Sequence, residues 1–354
     1  MDRLPCGIYF QSYEKDAALV QTKTAWVVHI AFILLLACLP LVASPRVLSI
    51  LSMISINVIA VLGLNILTGF CGQFSLGHVA FMAVGAYTSA ILTASLGAPF
   101  WLALVCAPLV AGVVGVVFGL PSLRVKGFYL ILATVAAQFI LVDFLPFQFN
   151  TITGGGTGID VPHPKFGDLI LRTEAQKYLL IVTFAVLATI LVTNILRTKA
   201  GRAFVAIRDN DLAASVMGVN VYGYKLLAFF LGCLLAGLAG ALYAHYVGHV
   251  SPEFFTLNNS IWFLGMIIIG GGGSTSGAVM GTVFLSLLIE LTIEIAPLVE
   301  KTVPLLSSSA SASLGLLVPG VVIILFLMFE PRGLSHRWWM IKAYFKLWPY
   351  SLQK

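Results

Sequence analysis

Long apolar runs with few charges divide this chain and restrict its fold more than any other feature. A helix needs about 17–25 apolar residues to cross a bilayer. Eight runs are long enough, namely residues 26–43, 47–67, 76–96, 100–119, 127–145, 177–196, 225–247 and 276–296. Two shorter runs, 259–270 and 314–329, predict tilted, broken or re-entrant segments. Because the runs lack the alternation of barrel strands, they predict an all-α, polytopic membrane bundle of about ten spans.

The composition excludes a soluble fold. Hydrophobic residues make up 59% of the chain and charged residues 10%, whereas soluble domains carry roughly 25% charged residues. The net charge of +6 would suit nucleic acid, but the basic residues sit in short loops between apolar runs, where they report membrane topology. We therefore expect membrane lipid, and no nucleic acid, around this chain.

The distribution of lysine and arginine predicts the orientation. With the N-terminus inside and ten spans, fifteen of the twenty basic residues lie on the inner side, as the positive-inside rule requires. Both termini are then inside, with a cytoplasmic N-terminal segment (1–25), a transmembrane domain (26–330) and a cytoplasmic basic tail (331–354). The alternative is a cleaved signal peptide over 26–43, which the long acidic leader before that run disfavours.

Glycines indicate a broken helix between the second and third runs. The glycines within residues 69–77 flank Gln73, Ser75 and His78. Broken helices expose backbone groups along transport paths, so these three polar residues are candidate path residues. The alternative is tight helix packing, which we also expect where small residues recur four positions apart: Gly115 and Gly119, Gly232, Ala236 and Gly240, and Gly277 and Gly281.

Polar residues inside the predicted spans are further candidates, because they are costly in lipid. Glu290 and Glu294 are four apart and share one helix face near the outer end of their span. They face wet head groups, or they line an outer vestibule where they would meet an amino group. Asn57 and Asn65 are eight apart and point nearly the same way, so they line the path or bond a neighbouring helix.

The inner loop at 197–224 predicts two short helices. Small apolar residues recur at helical spacing on both sides of 209–211, and Gly218 is placed to end the second helix. Such helices expose a flat, small-residue face for another protein, or they pack on their own bundle. The residues proposed to carry the contact are Arg202, Arg208, Asp209, Asp211, Ala213, Ala214 and Gly218.

The same loop carries a resemblance to a known family. Ala213-Ala214 followed by Gly218 resembles the Glu-Ala-Ala-x-x-x-Gly loop of ABC importer permeases, with Leu212 in place of the glutamate. The order of further motifs over about residues 47–330 resembles the branched-chain amino acid permeases of the Liv type. These motifs are Leu67-Thr68-Gly69, Gly72-Gln73-Phe74-Ser75-Leu76-Gly77-His78, Lys126-Gly127-Phe128-Tyr129-Leu130, Thr153-Gly154-Gly155 with Gly158-Ile159, Gly201-Arg202-Ala203, Ala206-Ile207-Arg208-Asp209, Ala236-Gly237-Leu238-Ala239-Gly240, Ser251-Pro252, and Gly270-Gly271 with Gly277-Ala278.

The resemblance implies a permease subunit that carries leucine, isoleucine, valine or related small amino acids and amides across a bacterial inner membrane. It implies a second, LivH-like permease subunit, two cytoplasmic ATPase subunits and an external substrate-binding protein. The 197–224 loop would couple the ATPases to the spans. No cofactor is expected on this chain, since ATP and Mg would bind the ATPases and the sequence contains no phosphate-loop motif.

Two other classes of function compete with this interpretation. A secondary transporter acting alone would need charges deep in the membrane for ion coupling, whereas the acidic residues here lie mostly near the ends of the runs. A membrane-embedded enzyme would need a catalytic constellation, and none is recognisable in the sequence. We therefore expect a transporter subunit and not an enzyme.

Overall fold

The computed structural model describes residues 23–123, 127–166, 169–302, 308–330 and 332–347. These ranges are almost entirely helical. The α-helices are α1 (Lys23–Cys38), α2 (Pro45–Leu64), α3 (His78–Ala90), α4 (Phe100–Gly119), α5 (Phe128–Gln138), α6 (Leu145–Gln148), α7 (Asn150–Thr153), α8 (Glu174–Arg197), α9 (Lys199–Asp209), α10 (Asp211–Val216), α11 (Val221–Val247), α12 (Leu257–Gly270), α13 (Thr275–Thr302), α14 (Ser308–Phe329) and α15 (Gly333–Leu347).

Other regular turns extend or join these helices. Wide π-helical turns continue α2, α3 and α5 over Asn65–Phe70, Ile91–Ser95 and Phe139–Phe144, and short 3-10 turns cover Leu39–Leu41, Leu120–Leu123 and Pro252–Phe254. In the part of the chain that the structure describes, four two-residue strands form two antiparallel ribbons. They are β1 (Ile159–Asp160), β2 (Lys165–Phe166), β3 (Leu169–Ile170) and β4 (His249–Val250). β1 pairs with β4, and this ribbon joins the long 146–173 connection to the chain that follows α11.

The helices confirm a polytopic helical membrane protein. Eight helical segments in the described ranges are long and apolar enough to cross a bilayer: Pro45–Phe70, His78–Ser95, Phe100–Gly119, Phe128–Gln148, Glu174–Arg197, Val221–Val247, Pro252–Gly270 and Thr275–Ile295. A bent pair, Leu317–Phe329 with Gly333–Tyr344, makes a ninth if it is counted as one span, and its two helices meet at 51°.

Three predicted runs differ in detail from the structure. The first, 26–43, contains an apolar helix only over Ile30–Leu41, because the α-helix tightens into a 3-10 turn at Pro40. The run at 259–270 gains length from the turn before it and becomes a 19-residue segment. The run at 314–329 lies in α14, after which the chain turns at Gly333, whose φ is +73°.

Helix α11 is at the centre of the bundle and packs against α2, α3 and α4. Glycines make this packing possible. A Cβ on Gly240 would collide with the carbonyl of Met82 in α3, and one on Gly85 would collide with the backbone of Gly237. The predicted close contacts of small residues are therefore confirmed. They fix the four-helix core against which the polar break between α2 and α3 is held.

Candidate functional site

The break between α2 and α3 turns back into the bundle. Residues 71–77 are not helical, and α3 starts at His78. The Nε2 of His78 lies 2.9 Å from the carbonyl oxygen of Ala60. Ala60 lies ten residues before Phe70, which corresponds to about 15 Å along a helix. The stretch therefore runs back along α2, and α3 begins near the middle of the membrane-spanning part of α2, as the broken-helix interpretation predicts.

Side chains from two other helices bind the backbone of this break. The N–H of Leu76 donates to Thr134 Oγ1 of α5 over 3.1 Å. The N–H of Val79 donates to Ser260 Oγ of α12 over 3.2 Å. Backbone groups released from a helix must find partners inside a bilayer. Thr134 and Ser260 supply them, and this fixes the break between α5 and α12.

Several polar atoms at this level are buried and lack a hydrogen-bond partner within the described ranges: Ser75 Oγ, His78 Nδ1 and Gln138 Oε1. Because Nε2 of His78 donates to Ala60, a neutral ring leaves Nδ1 as an acceptor. Gln138 uses its amide nitrogen, which donates to the Phe255 carbonyl over 2.6 Å. An unsatisfied buried polar group costs about 1–3 kcal/mol, so this polar layer is chemically suited to receive water or a polar cargo.

Sequence reasoning missed Thr134, Gln138 and Ser260. Thr134 and Gln138 are four apart and so share one face of α5, a signal that was available in the sequence. Ser260 follows Asn258 and Asn259 at the start of its run, and nothing in the sequence distinguishes it from an ordinary serine near the end of a membrane helix.

Asn65 holds a loop in place. Its Nδ2 donates to the carbonyl of Ser274 over 3.0 Å, and its Oδ1 accepts from the N–H of Gly273 over 3.1 Å. These two bonds attach the end of α2 to the glycine turn between α12 and α13. Asn65 is completely buried. Asn65 is thus bonded to the turn between two helices, while Asn57, two turns earlier on α2, is half-buried.

The inner loop forms the two predicted helices, α9 and α10. Asn210 joins them and caps α10, since its Oδ1 accepts from the N–H groups of Leu212 at 3.1 Å and Ala213 at 3.0 Å. Gly218 follows the end of α10 with φ at +83°, a conformation that glycine adopts without strain. The predicted glycine stop is therefore confirmed.

The outward face of this loop carries large apolar residues beside the small residues that were expected there, of which Ala213 and Gly218 are exposed. Ala203, Ile207 and Ala214 are buried, since these apolar side chains pack the two helices against their own bundle. Three larger apolar residues point outward. These form the docking face, which we define as Leu212, Val216 and Met217, exposed by 71%, 85% and 83%.

Two charged residues of the loop contact the membrane domain. Arg208 Nη1 donates to the carbonyl of Gly69 over 3.0 Å, and its Nε donates to Asp209 over 3.0 Å. Asp211 lies 3.5 Å from the ammonium of Lys225 at the start of α11. Arg202 remains exposed and donates to the backbone carbonyl of Arg197. Of the predicted set, Arg208 and Asp211 therefore attach the loop to the membrane domain.

The loop and the break together line an inner cleft of about 350 Å³. Residues 71–73 and 207–211 line it, together with Gly127, Leu130 and Lys225. Burial raises the pKa of the Cys71 thiol to about 12, against the opposing effect of the Lys225 charge. The thiol is therefore neutral, and the charged groups of the cleft belong to the loop and to Lys225.

At the opposite end of the bundle, Glu290 and Glu294 share one partner. Arg46 Nη2, in the first turn of α2, lies 2.7 Å from Glu294 Oε1 and 3.9 Å from Glu290 Oε1. The two carboxylates therefore share a face, as their spacing predicts. They attach α13 to the start of α2.

Sequence reasoning missed a second polar cluster at this end. The hydroxyl of Tyr246 lies 2.8 Å from Ser49 Oγ and 3.2 Å from the carboxylate of Glu174. The ammonium of Lys177 lies 3.5 Å from the same carboxylate. These side chains join α2, α8 and α11, and the sequence spacing of residues on three separate helices could not reveal the contact.

Comparisons with known proteins agree on one group. A family model described as "Branched-chain amino acid transport system / permease component" matches residues 46–327. The chain is 32% identical over 286 residues to the high-affinity branched-chain amino acid transport system permease protein LivM of Escherichia coli, covering 74% of this chain and 67% of that protein.

More distant similarities point the same way. The chain is 25% identical over 240 residues to the probable LivM protein of Methanocaldococcus jannaschii, covering 66% of this chain and 67% of that protein. It is 24% identical over 246 residues to the permease protein LivH of Salmonella typhimurium, covering 63% of this chain and 77% of that protein. No solved structure matches the chain significantly.

Proposed function

The chain belongs to the family of branched-chain amino acid transport permease components, and from this premise we propose that it is the membrane-spanning subunit of an ATP-driven importer. Its cargo is leucine, isoleucine, valine or a related small amino acid or amide. An external binding protein delivers the cargo, and a second, LivH-like permease completes the path. Two ATPase subunits on the inner side bind ATP and Mg and drive transport across a bacterial inner membrane.

The docking face is the observation that supports this proposal best. Leu212, Val216 and Met217 expose apolar side chains on a loop that is attached to the membrane domain. Exposed apolar clusters of this kind mark protein interaction sites. Because Asp211 is already paired with Lys225, the ATPase contact made here is apolar, and the glutamate that Leu212 replaces is not compensated by Asp211.

The polar layer at the break supports the transport path. A zwitterionic amino acid needs hydrogen-bond partners while it crosses the apolar bilayer core. Within the described ranges, Ser75, His78 and Gln138 have buried polar atoms without a hydrogen-bond partner, and Gln73, which is also buried, lines the inner cleft. These residues belong to the path, and the energy comes from conformational change imposed on the inner loop.

Purification of the tagged chain from its native membranes, followed by reconstitution in vesicles, tests the proposal. We expect the chain to bring a second permease and ATPase subunits with it. Uptake of radiolabelled leucine, isoleucine or valine should then need ATP and the binding protein. Uptake by the chain alone on an ion gradient would contradict the proposal and support the secondary transporter.

Val216→Asp and Met217→Asp should each remove the ATPase subunits from the purified complex. Both side chains are more than four-fifths exposed, so the charge disturbs a partner surface and leaves the fold of the chain intact. The measurement is the amount of ATPase recovered per permease, with an expected loss of about tenfold, or about 1.4 kcal/mol of binding free energy.

Ile152→Asp is the matched control, because Ile152 is an exposed apolar residue at the opposite end of the bundle. It should leave ATPase recovery unchanged. Normal recovery with both Val216→Asp and Met217→Asp would show that the docking face does not bind the ATPase.

A further inference from the structure

Arg208 occupies the point where the inner loop meets the end of α2. It lies in the last turn of α9, and its guanidinium donates to the carbonyl of Gly69 over 3.0 Å. The last carbonyls of a helix lack intrahelical partners, and the end of a helix attracts a cation. Arg208, which lies in α9, therefore supplies the end of α2 with both a hydrogen-bond donor and a positive charge.

Glycines bring three segments together around this side chain. A Cβ on Gly72 would lie 3.0 Å from Cγ of Arg208, and one on Gly273 would lie 2.7 Å from Nη1. A Cβ on Gly69 would lie 2.5 Å from the nitrogen of Gly273. Larger residues would push these segments apart. The arginine thus contacts both the start of the break and the glycine turn between α12 and α13.

Asn65 makes the other connection between the same segments. Its two hydrogen bonds to Gly273 and Ser274 join the glycine turn to α2 one turn before Gly69. If Gly69 moves, the glycine turn therefore moves with it, and so do α12 and α13, which this turn connects. Beside this contact, residues 71–73 and 207–211 line the inner cleft of about 350 Å³.

We propose that Arg208 is a positioning residue that transmits movement of the inner loop to the mid-membrane break and, through the glycine turn, to α12 and α13. This inference rests on the proposed function and adds to it the residue that links the docked ATPase to the path. Arg208 binds neither cargo nor ATP. It acts through Gly69, and the break moves with the loop because this side chain joins them.

The test uses Arg208→Gln and Arg208→Lys in the complete reconstituted complex. Lys199→Gln is the matched control, because Lys199 is an exposed cation on the same helix, outside the docking face. Three quantities are measured for each variant: ATPase subunits recovered per permease, ATP hydrolysed, and cargo transported per ATP.

We expect Arg208→Gln to keep its ATPase subunits and its hydrolysis while cargo per ATP falls about tenfold, a factor typical of coupling between sites. Arg208→Lys should recover part of the loss, since an ammonium can still donate to Gly69 but lacks the planar fork that also reaches Asp209. Lys199→Gln should match the wild type in all three quantities.

Two results would overturn the inference. One is unchanged cargo per ATP in Arg208→Gln. The other is loss of the ATPase subunits from both Arg208 variants, which would make Arg208 part of the docking surface or of the fold. Absence of ATP-driven uptake in the wild-type complex would refute the proposed function itself, and it is distinguishable because it occurs without any substitution.

Discussion

Lys225 shows how the structure accommodates a charge at the end of a span. Its side chain is only 4% exposed, and its ammonium lies 3.5 Å from Asp211, whose side chain is 23% exposed. Breaking a buried pair leaves an uncompensated charge, and the cost depends on which partner remains. The sequence analysis predicted that Asp211 contacts another protein. It could not show the pairing, because the two residues are fourteen positions apart and lie on different helices.

Asp211→Asn should therefore destabilise the protein more than Lys225→Met. The first leaves an ammonium buried without its carboxylate, at a cost of roughly 3 kcal/mol, whereas the second leaves a carboxylate that can reach water. The measurement is the melting temperature of each variant in detergent. The double variant should recover much of the stability lost in Asp211→Asn. Equal melting temperatures for the two single variants would contradict this account.

Helix α11 illustrates what was predictable at the level of elements. Its small residues at four-residue spacing, Gly232, Ala236 and Gly240, predicted close helix contacts, and the structure confirms them. The sequence could not show that α3 and α4 are the partners, because small residues occur on many of the helices. The inner loop shows the same limit. Its two helices and glycine stop followed from local pattern, but the side on which Ala214 is buried depends on the whole bundle.

Gly240→Ala should lower the melting temperature, because the added methyl group meets the backbone carbonyl of Met82 and a backbone cannot yield as a flexible side chain does. Overpacking of this kind costs about 1–3 kcal/mol. The control is Gly320→Ala in α14, where an added Cβ has nothing within 4 Å and helix propensity favours alanine by up to about 1 kcal/mol. A Gly240→Ala protein as stable as this control would show that α3 and α11 can separate at no cost.

At the scale of the whole molecule, the segments that the charge distribution predicts to be on the inner side meet at one end of the bundle. The inner loop, the end of α2 and the glycine turn meet through Arg208 and Asn65. The opposite end carries Arg46 with its two glutamates and the ribbon of β1 and β4. The lengths of the apolar runs predicted most of the spans. They did not predict how far the break between α2 and α3 extends into the bundle, because that position depends on contacts with α5 and α12.

Cysteine labelling tests the predicted orientation, with both termini inside. In a variant without the five native cysteines, Lys199→Cys should react with a membrane-impermeant maleimide only in inside-out vesicles. Ile152→Cys should react only in right-side-out vesicles, because the two positions lie at opposite ends of the bundle. Reversed labelling would place the docking face outside the cell and remove its access to ATPases.

The depth of the break also has a consequence for biosynthesis. The backbone N–H of Leu76 donates to the hydroxyl of Thr134, which comes 58 positions later in the chain. The backbone N–H of Val79 donates to the hydroxyl of Ser260, 181 positions later. A nascent chain that has threaded only its first helices leaves these amides unsatisfied in lipid. The break between α2 and α3 therefore reaches its final position late in synthesis. This happens only after α12, which carries Ser260, has left the ribosome.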